Sequence, residues 1–162
     1  MGFQKTDSRQ TRGNDVKTKL LSERRGRTYA IVFATGDEVT AGLHNFAREN
    51  RLSASHFTAI GAFERVTLGY FDWELKDYHR IPLLEQVEVV SLIGDIALDD
   101  GQPKVHAHVV VGKSDGTAHG GHLLEAYVRP TLEVVLVESP AHLRRRLDRD
   151  SGLALIDLTV DE

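Results

Sequence analysis

Aromatic and β-branched residues recur in short runs and at alternate positions along most of the chain, a pattern typical of β-strands. The predicted strands are TYAIVFAT from Thr28, HFTAIGAF, RVTLGYFDW, KDYHRI, QVEVVSLIGDIAL, KVHAHVVVG, a return segment from Thr117, TLEVVLVES and LALIDL. Gly61 and Gly69 lie within two of these runs, at positions where β-bulges are expected. Short turns such as LDDGQP separate several of the runs.

A change from strand-like to helical periodicity marks the first predicted helix. Its buried face is formed by the apolar residues Val39, Leu43, Phe46 and Ala47. Thr35 and Glu38 have the spacing of a capping box, with Thr35 as the N-cap residue and Glu38 three positions later. The helix is expected to run to about Asn50.

A second helix is predicted near the C-terminus. It begins at Ser139-Pro140, with proline at the first helical position, and ends near Gly152. Two helices beside seven or eight strands, with no regular βαβ alternation, predict an α+β fold: a mostly antiparallel β-sheet with flanking helices. We expect one domain over residues 28–162, preceded by a basic N-terminal arm over residues 1–27.

The predicted arm differs in charge from the rest of the chain. Residues 1–27 contain eight lysines and arginines and three acidic residues, a net charge of +5, which leaves −9 for the other 135 residues of a chain with net charge −4. Arg24, Arg25 and Arg27 are the candidate nucleic-acid contacts, because clustered Lys and Arg neutralise phosphates. The alternative is a solvated leader without a partner.

Composition limits the chemistry that the chain can perform. The sequence has no cysteine, so any metal site must use His, Asp and Glu. No apolar run approaches the roughly 18 residues that a membrane helix needs, and the basic, polar N-terminus lacks the apolar stretch of a secretory signal. We therefore expect a cytoplasmic protein with no membrane partner.

Histidines are concentrated in one segment. Residues 104–122, KVHAHVVVGKSDGTAHGGH, contain four of the eight histidines of the chain. Side chains alternate between the two faces of a strand, so His106 and His108 share one face while Val105, Ala107 and Val109 share the other. The two histidine Cα atoms are then roughly 6.5–7 Å apart, which lets both rings reach one ion.

The turn that follows predicts a third ligand. Ser114-Asp115-Gly116 has the composition of a three-residue hairpin loop with glycine in the left-handed conformation. In that register Lys113 faces Thr117, and His108 faces His122. Because cross-strand partners point to the same face, His122 is expected to join the H-x-H pair.

Three neutral imidazoles with an open position form the arrangement of catalytic zinc sites. The predicted ligands are His106, His108 and His122, with zinc as the first choice and nickel, iron or copper as other ions that suit imidazole. The alternative is three surface or interface histidines with ordinary hydrogen bonds. His119 and Glu125 are the candidate catalytic acid/base residues, although Glu125 is equally explained as a surface carboxylate.

The same segment carries a family resemblance. The string IGDIALDDGQPKVHAHVVVGKSDGTAHGGHLLEAYVRPTLEVVLVE resembles the signature of the PPC domain, the plants and prokaryotes conserved domain, with its G-[ND]-I segment, H-x-H strand and GGHL motif. Upstream, SHFTAIGAFERVTLGYFD and QVEVVSLIGDI match further stretches of that signature. The resemblance covers residues 28–138.

The resemblance implies an α+β domain with an antiparallel sheet that assembles as a homotrimer. It also implies that the H-x-H and GGH histidines bind zinc in prokaryotic members, and these are His106, His108 and His122 here. The fold is distantly similar to that of alpha-acetolactate decarboxylase, a three-histidine zinc enzyme, which is an analogy of fold and not of reaction.

Plant members imply a different role. There the domain follows AT-hook motifs, whose Arg-Gly-Arg-Pro core enters AT-rich minor grooves. In this sequence Arg25-Gly26-Arg27 is followed by Thr28 instead of proline, so we do not assign an AT-hook. The Gly-Arg-Phe-Glu-Ile-Leu stretch with which plant members dock partners is replaced by residues 85–90, of which only Glu88 is identical.

Three hypotheses of function follow from these observations. The first is a DNA-associated regulatory protein that carries a three-histidine metal site. The second is a zinc metalloenzyme, similar to a decarboxylase or hydrolase, that acts on a small polar substrate. The third is a metal-dependent binding module for a small ligand.

Overall fold

The computed structural model describes residues 17–22 and 26–159, and within these ranges the chain forms nine strands and one α-helix. In chain order the elements are β1 (Lys17–Ser22), β2 (Thr28–Ala34), α1 (Val39–Glu49), β3 (Ala54–Asp72), β4 (Asp77–Leu83), β5 (Val87–Asp99), β6 (Gln102–Gly112), β7 (Ala118–Glu138), β8 (Arg145–Leu147) and β9 (Ala154–Ile156). The predicted α+β class with a mostly antiparallel sheet is confirmed.

The main sheet closes on itself. Seven strands follow the order β1-β2-β7-β6-β5-β3-β4, and β3 also pairs with β7, so that β3, β5, β6 and β7 form a closed ring of hydrogen-bonded strands. Strands β3 and β7 each replace two separately predicted strands. Strand β3 continues through Gly61, where the register shifts beside a φ of +150°, as expected of a bulge. Gly69 is not at a shift, and the nearest one falls between Thr67 and Leu68.

The inward faces of the strands and one face of α1 form a single core. Its largest fully buried side chains include Phe33, Phe57, Phe63, Ile31, Leu43, Leu92 and Leu136. Burial of each such side chain stabilises the fold by about 1.5–3 kcal/mol. The alternation that buries Ala107 and Val109 leaves the intervening side chains of β6 on the outward face of the sheet.

The first helix begins later than its predicted cap. Glu38, and not Thr35, is the N-cap residue, because its carboxylate accepts hydrogen bonds from the backbone N–H groups of Thr40 and Ala41. The cap also joins the helix to the sheet, since the same carboxylate accepts the N–H of Ala126 at 3.2 Å. The predicted span is otherwise confirmed, and Asn50 is the C-cap residue.

The second predicted helix is wrong. The segment from Ser139 to Gly152 forms no helix, and Arg145–Leu147 pair instead with Ala154–Ile156 as a two-stranded sheet. Its backbone groups bond to the main sheet, because the Leu143 N–H donates to Ser53 and the Leu143 carbonyl accepts from Leu98. These tertiary contacts outweigh the local preference that proline and the arginines gave to a helix.

Part of the predicted N-terminal arm is a strand. Lys17–Ser22 pair with β2 at the edge of the main sheet. Residues 1–16 and 23–25 lie outside the described residues, so the boundary at residue 27 stays a prediction. Among the described residues, no helix combines the length and apolar character that crossing a membrane requires.

Candidate metal centre

The turn between β6 and β7 sets the register of the histidines. The Lys113 N–H donates to the Thr117 carbonyl at 2.9 Å, and Gly116 has a φ of +81°, the left-handed conformation that this loop needs. Asp115 rigidifies the loop because its carboxylate accepts the Thr117 N–H at 2.9 Å. His108 is therefore the cross-strand partner of His122, as predicted.

Three imidazoles converge on the outward face. One ring nitrogen from each of His106, His108 and His122 lies within 4.8 Å of the other two. The ring centroids are 5.1 Å apart for His106 and His122, and 5.2 Å apart for each of the other two pairs. Among the described residues, these three histidines form a group whose candidate ligand atoms are close enough to share one metal ion.

The surroundings keep two of these rings neutral near pH 7. Burial, together with the neighbouring His106 and His108 rings, lowers the pKa of His122 to about 4. Burial and the His106 ring also lower the pKa of His108 below its ordinary value. A neutral imidazole has a free lone pair, which is the form that binds a metal ion.

Two polar side chains contact the Nδ1 atoms of His106 and His122. Asp95 is the cross-strand partner of His106, and its Oδ2 lies 3.4 Å from His106 Nδ1. The Tyr78 hydroxyl lies 3.5 Å from His122 Nδ1, with ring centroids 4.7 Å apart, and burial raises the pKa of Tyr78. Contacts of this kind fix the tautomer and orientation of ligating histidines. In the tautomer in which Nδ1–H donates to these oxygens, Nε2 carries the lone pair that can bind an ion.

Two glycines permit this close packing. A Cβ atom at Gly69 would lie 2.8 Å from Cδ1 of Tyr78, so glycine there lets the tyrosine ring cross β3 to reach His122. A Cβ atom at Gly121 would lie 2.8 Å from the carbonyl oxygen of Gly69, so a side chain there would push β7 away from β3. The packing around the site therefore leaves no room for a side chain at Gly69 or Gly121.

The donor set fits a divalent transition metal ion. Three imidazoles suit zinc, copper, iron and nickel, and three protein ligands leave room for a further ligand on the ion. Asp95 and Tyr78 supply the outer contacts that such ligands need. The group differs from scattered surface histidines because one ring nitrogen of each side chain lies within 4.8 Å of the other two.

Comparison with known proteins places the chain. Residues 21–140 match the family model of the Plants and Prokaryotes Conserved (PCC) domain. The chain belongs to this family, also written PPC. A curated relative, the bifunctional protein GlmU of Synechococcus sp. (strain JA-3-3Ab), is 31% identical to this PPC chain over 140 residues, which are 84% of this chain and 21% of the relative. The chain thus spans about a fifth of the length of that relative.

Solved structures share the fold along most of their length. A plant- and prokaryote-conserved protein from Pyrococcus horikoshii has a TM-score of 0.77 and 37% identity, covering 82% of this chain and 92% of its own. A metal-containing protein from Archaeoglobus fulgidus has a TM-score of 0.74 and 33% identity, covering 85% and 98%. A candidate DNA-binding protein from Bacteroides thetaiotaomicron has a TM-score of 0.83 and 28% identity, covering 89% and 98%.

The two candidate acid/base residues of this PPC chain are not members of the three-histidine group. His119 is the cross-strand partner of the buried Val111, so it is on the opposite face of β7 from His122. The Glu125 carboxylate accepts a hydrogen bond from the Tyr127 hydroxyl at 3.1 Å. Neither belongs to the three-histidine group, and their catalytic role stays a prediction that this placement does not support.

The structure describes one of the three candidate nucleic-acid contacts. Arg24 and Arg25 lie outside the described residues. Arg27 forms a bidentate ion pair with Glu138, with Nε and Nη2 at 2.7 and 2.6 Å from the carboxylate oxygens, and also donates to the carbonyl of Asn50. Its guanidinium is therefore already paired within the fold, and its contact with nucleic acid stays a prediction.

Sequence reasoning missed the residues that support the histidines. The signal for Asp95 was present, because the LDDGQP turn joins β5 to β6 and its register places Asp95 opposite His106. No comparable signal existed for Tyr78, because its approach depends on β4 folding back along β3 and on the absence of a side chain at Gly69.

Proposed function

We propose that this PPC protein is a metal-dependent binding module in which His106, His108 and His122 hold a divalent transition metal ion, with zinc as the first choice. The observation that carries the proposal is the convergence of the three ring nitrogens within 4.8 Å. A bound zinc ion acts as a Lewis acid toward carbonyl and carboxylate oxygens, so the ligand is expected to be a small polar molecule. The metal-containing relative from Archaeoglobus fulgidus supports this reading.

A zinc metalloenzyme is the alternative use of the same site. The binding module is better supported, because the side chains that touch the histidines, Asp95 and Tyr78, hold the rings in place. The groups proposed for acid/base chemistry, His119 and Glu125, are outside the three-histidine group. Turnover of a small carboxylic acid or ester by the zinc-loaded protein, lost in His108→Ala, would favour the enzyme instead.

Metal analysis of protein purified without a histidine tag tests the proposal. After loading with zinc and gel filtration, we expect one zinc ion per chain in the wild type and a large loss in His108→Ala. His79→Ala is the matched control, because His79 is an exposed histidine on β4 and should leave the zinc content unchanged. Wild-type protein that retains no ion under these conditions would refute the metal site.

We further propose that the chain assembles as a homotrimer. The outward face of the central strands exposes five large apolar side chains, one of which, Ile93, is the cross-strand partner of His108. We assign them to one interaction surface, because contiguous exposed apolar area marks such surfaces. These residues are Ile60, Val90, Ile93, Val110 and Val135. Light scattering is expected to give three times the 18.0 kDa chain mass, and Ile93→Lys should reduce it while Leu84→Lys, at an exposed site off this face, should not. A monomeric wild type would contradict the proposal.

A DNA-associated regulatory role is the second candidate. It is favoured by the net charge of +5 on residues 1–27 and by the relative described as a candidate DNA-binding protein. The net charge of −9 on residues 28–162 opposes DNA crossing the body, so contact is expected through the N-terminal segment, including Arg24 and Arg25. We also propose a cytoplasmic location, on the composition of the chain.

Titration of a labelled DNA duplex at two salt concentrations tests this role. Replacing Arg24 and Arg25 with Gln is expected to weaken binding for all sequences and to reduce the slope of log affinity against log salt by about one unit for each lost phosphate contact. Arg80→Gln, at an exposed arginine on β4, is the control. Absence of binding by the wild type at low salt would remove this candidate.

A further inference from the structure

The C-terminal segment beyond the family match packs against the strand that supports the metal centre. The family model ends at residue 140, whereas the described chain continues to residue 159. Leu143 anchors the segment, because its N–H donates to the Ser53 carbonyl at 3.1 Å and its carbonyl accepts the Leu98 N–H at 2.8 Å. The segment therefore lies against the start of β3 and the end of β5.

One side chain from this segment reaches the site. Arg145, at the start of β8, has a side chain that is only 6% exposed. Its Nη1 donates to the Ala154 carbonyl on β9 at 3.1 Å, and its Nη2 donates to Oδ1 of Asp95. The pairing of β8 with β9 thus places a buried guanidinium directly on the carboxylate that contacts His106.

The two oxygens of Asp95 are divided between two partners. Oδ1 accepts from Arg145, and Oδ2 lies 3.4 Å from Nδ1 of His106. Asp95 therefore lies between the Arg145 guanidinium and the ring of His106, with one carboxylate oxygen toward each.

Burial of the Arg145 guanidinium costs folding free energy, whereas the neighbouring Arg146 keeps its guanidinium in solvent. Within the described residues, Nε of Arg145 is buried and has no hydrogen-bond partner. Arg146, the next residue of β8, keeps its side chain 63% exposed and pairs with Asp157 at 3.0 Å. A buried cation with an unsatisfied nitrogen is a poor stability device, so its contact with Asp95 calls for another explanation.

We propose that Arg145 is a positioning residue of the metal centre, which holds the Asp95 carboxylate so that it orients His106 with Nε2 toward the ion. This inference rests on the proposed metal-binding function. Arg145 acts through Asp95, and the β8–β9 pair is the element that delivers it. The C-terminal segment of this chain is then part of the metal site, although it lies outside the matched family domain.

Titration with Co²⁺, followed by its visible absorption bands, tests the proposal. We expect Arg145→Gln to weaken Co²⁺ binding about 10- to 100-fold, the usual effect of losing an outer contact to a ligating histidine. Arg146→Gln is the matched control on the same strand and should bind within about twofold of the wild type, because its partner is Asp157 and not Asp95. Equal affinity of Arg145→Gln and the wild type would overturn the proposal.

A double variant keeps the test decisive if Arg145→Gln leaves Asp95 unpaired and fails to fold. Asp95→Asn combined with Arg145→Gln replaces the ion pair by two neutral amides, which avoids an uncompensated buried charge. The double variant is expected to lose about as much Co²⁺ affinity as Arg145→Gln, because both changes break one chain of contacts. A folded double variant with wild-type affinity would exclude a role for the pair.

The ring state of His106 in metal-free protein separates this inference from the proposed function. Imidazole ¹⁵N shifts are expected to show the Nδ1–H tautomer in the wild type and a mixture of tautomers in the Arg145→Gln variant, with Arg146→Gln unchanged. If the wild type binds no Co²⁺, the proposed metal site is refuted, but the His106 tautomer still tests whether Arg145 positions that ring. If the wild type binds Co²⁺ but neither readout changes in Arg145→Gln, only the positioning role fails.

Discussion

The β6–β7 hairpin and the β8–β9 pair are both short antiparallel structures that reach the same site, but different forces shape them. The hairpin follows from its own turn, in which Asp115, Gly116 and the Lys113–Thr117 hydrogen bond fix the register. The β8–β9 pair consists of two three-residue strands and depends on bonds to Ser53, Leu98 and Asp95. In the proposed metal site, the hairpin supplies the three histidines and the pair positions one of them through Asp95.

The difference separates local from long-range specification. A turn of defined type carries its register with it, so side chains several residues away fall on a known face. A two-stranded pair is marginal by itself and takes the shape that its neighbours allow. Residues that hold a ligand from a distant segment are therefore the part of a site that a local pattern does not reveal.

The largest expected effect is on metal affinity at the hairpin. His122→Ala removes a ligand, so we expect its zinc affinity to fall by more than the roughly 100-fold that an outer contact costs. His119→Ala lies on the same strand but on the opposite face, and should bind zinc within about twofold of the wild type. Competition with a chromophoric chelator measures both. Equal losses in the two variants would show that the hairpin register is wrong.

A smaller effect, on the free energy of unfolding, distinguishes the β6–β7 turn at Gly116 from the β8–β9 turn at Gly152. Gly116 and Gly152 have φ values of +81° and +75°, and among the described residues no neighbouring atom lies closer than 3.9 Å to a Cβ added at either. Alanine at Gly116 is expected to lower the free energy of unfolding by about 1–2 kcal/mol, the cost of a left-handed residue. Gly152→Ala should lower it less, because the β8–β9 pair opens locally before the ring of strands does.

Urea unfolding measures both variants. Gly101→Ala is the control in the β5–β6 turn, where φ is +75° and no neighbouring atom of the described chain lies within 4 Å of the added Cβ. Its loss of stability should therefore match that of Gly116→Ala. A loss at Gly152 as large as at Gly116 would show that the C-terminal pair unfolds together with the sheet.

The sequence was informative where the determinants were near one another. The Ser114–Gly116 turn and the alternation around His106 and His108 were sufficient to place His122 beside them. The Arg145 contact escaped prediction because its partner, Asp95, is 50 residues away and because proline and arginine favoured a helix in its segment. The fusion of predicted strands into β3 and β7 was missed because bulges let a strand continue through positions that resemble turns.

The smallest expected effect lies where the C-terminal segment leaves β7. The Arg27 contact holds the pKa of Glu138 below its ordinary value. The ion pair therefore stabilises the folded state fully at pH values above the unfolded pKa of about 4.3. This stabilisation is lost as the pH falls through the lower pKa of the folded state. Glu138→Gln should lower the free energy of unfolding by about 0.5–1 kcal/mol at pH 7. The difference from the wild type should shrink in acid, and a constant difference down to pH 3 would contradict the pair's role.

X-ray absorption at the zinc edge tests the central claim most directly. For untagged protein loaded with one zinc ion per chain, we expect scattering from three imidazole nitrogens at about 2.0–2.1 Å. His122→Ala should lose one imidazole from that pattern or lose the ion. A spectrum of hydrated zinc, or one fitted by a single imidazole, would show that His106, His108 and His122 do not share an ion.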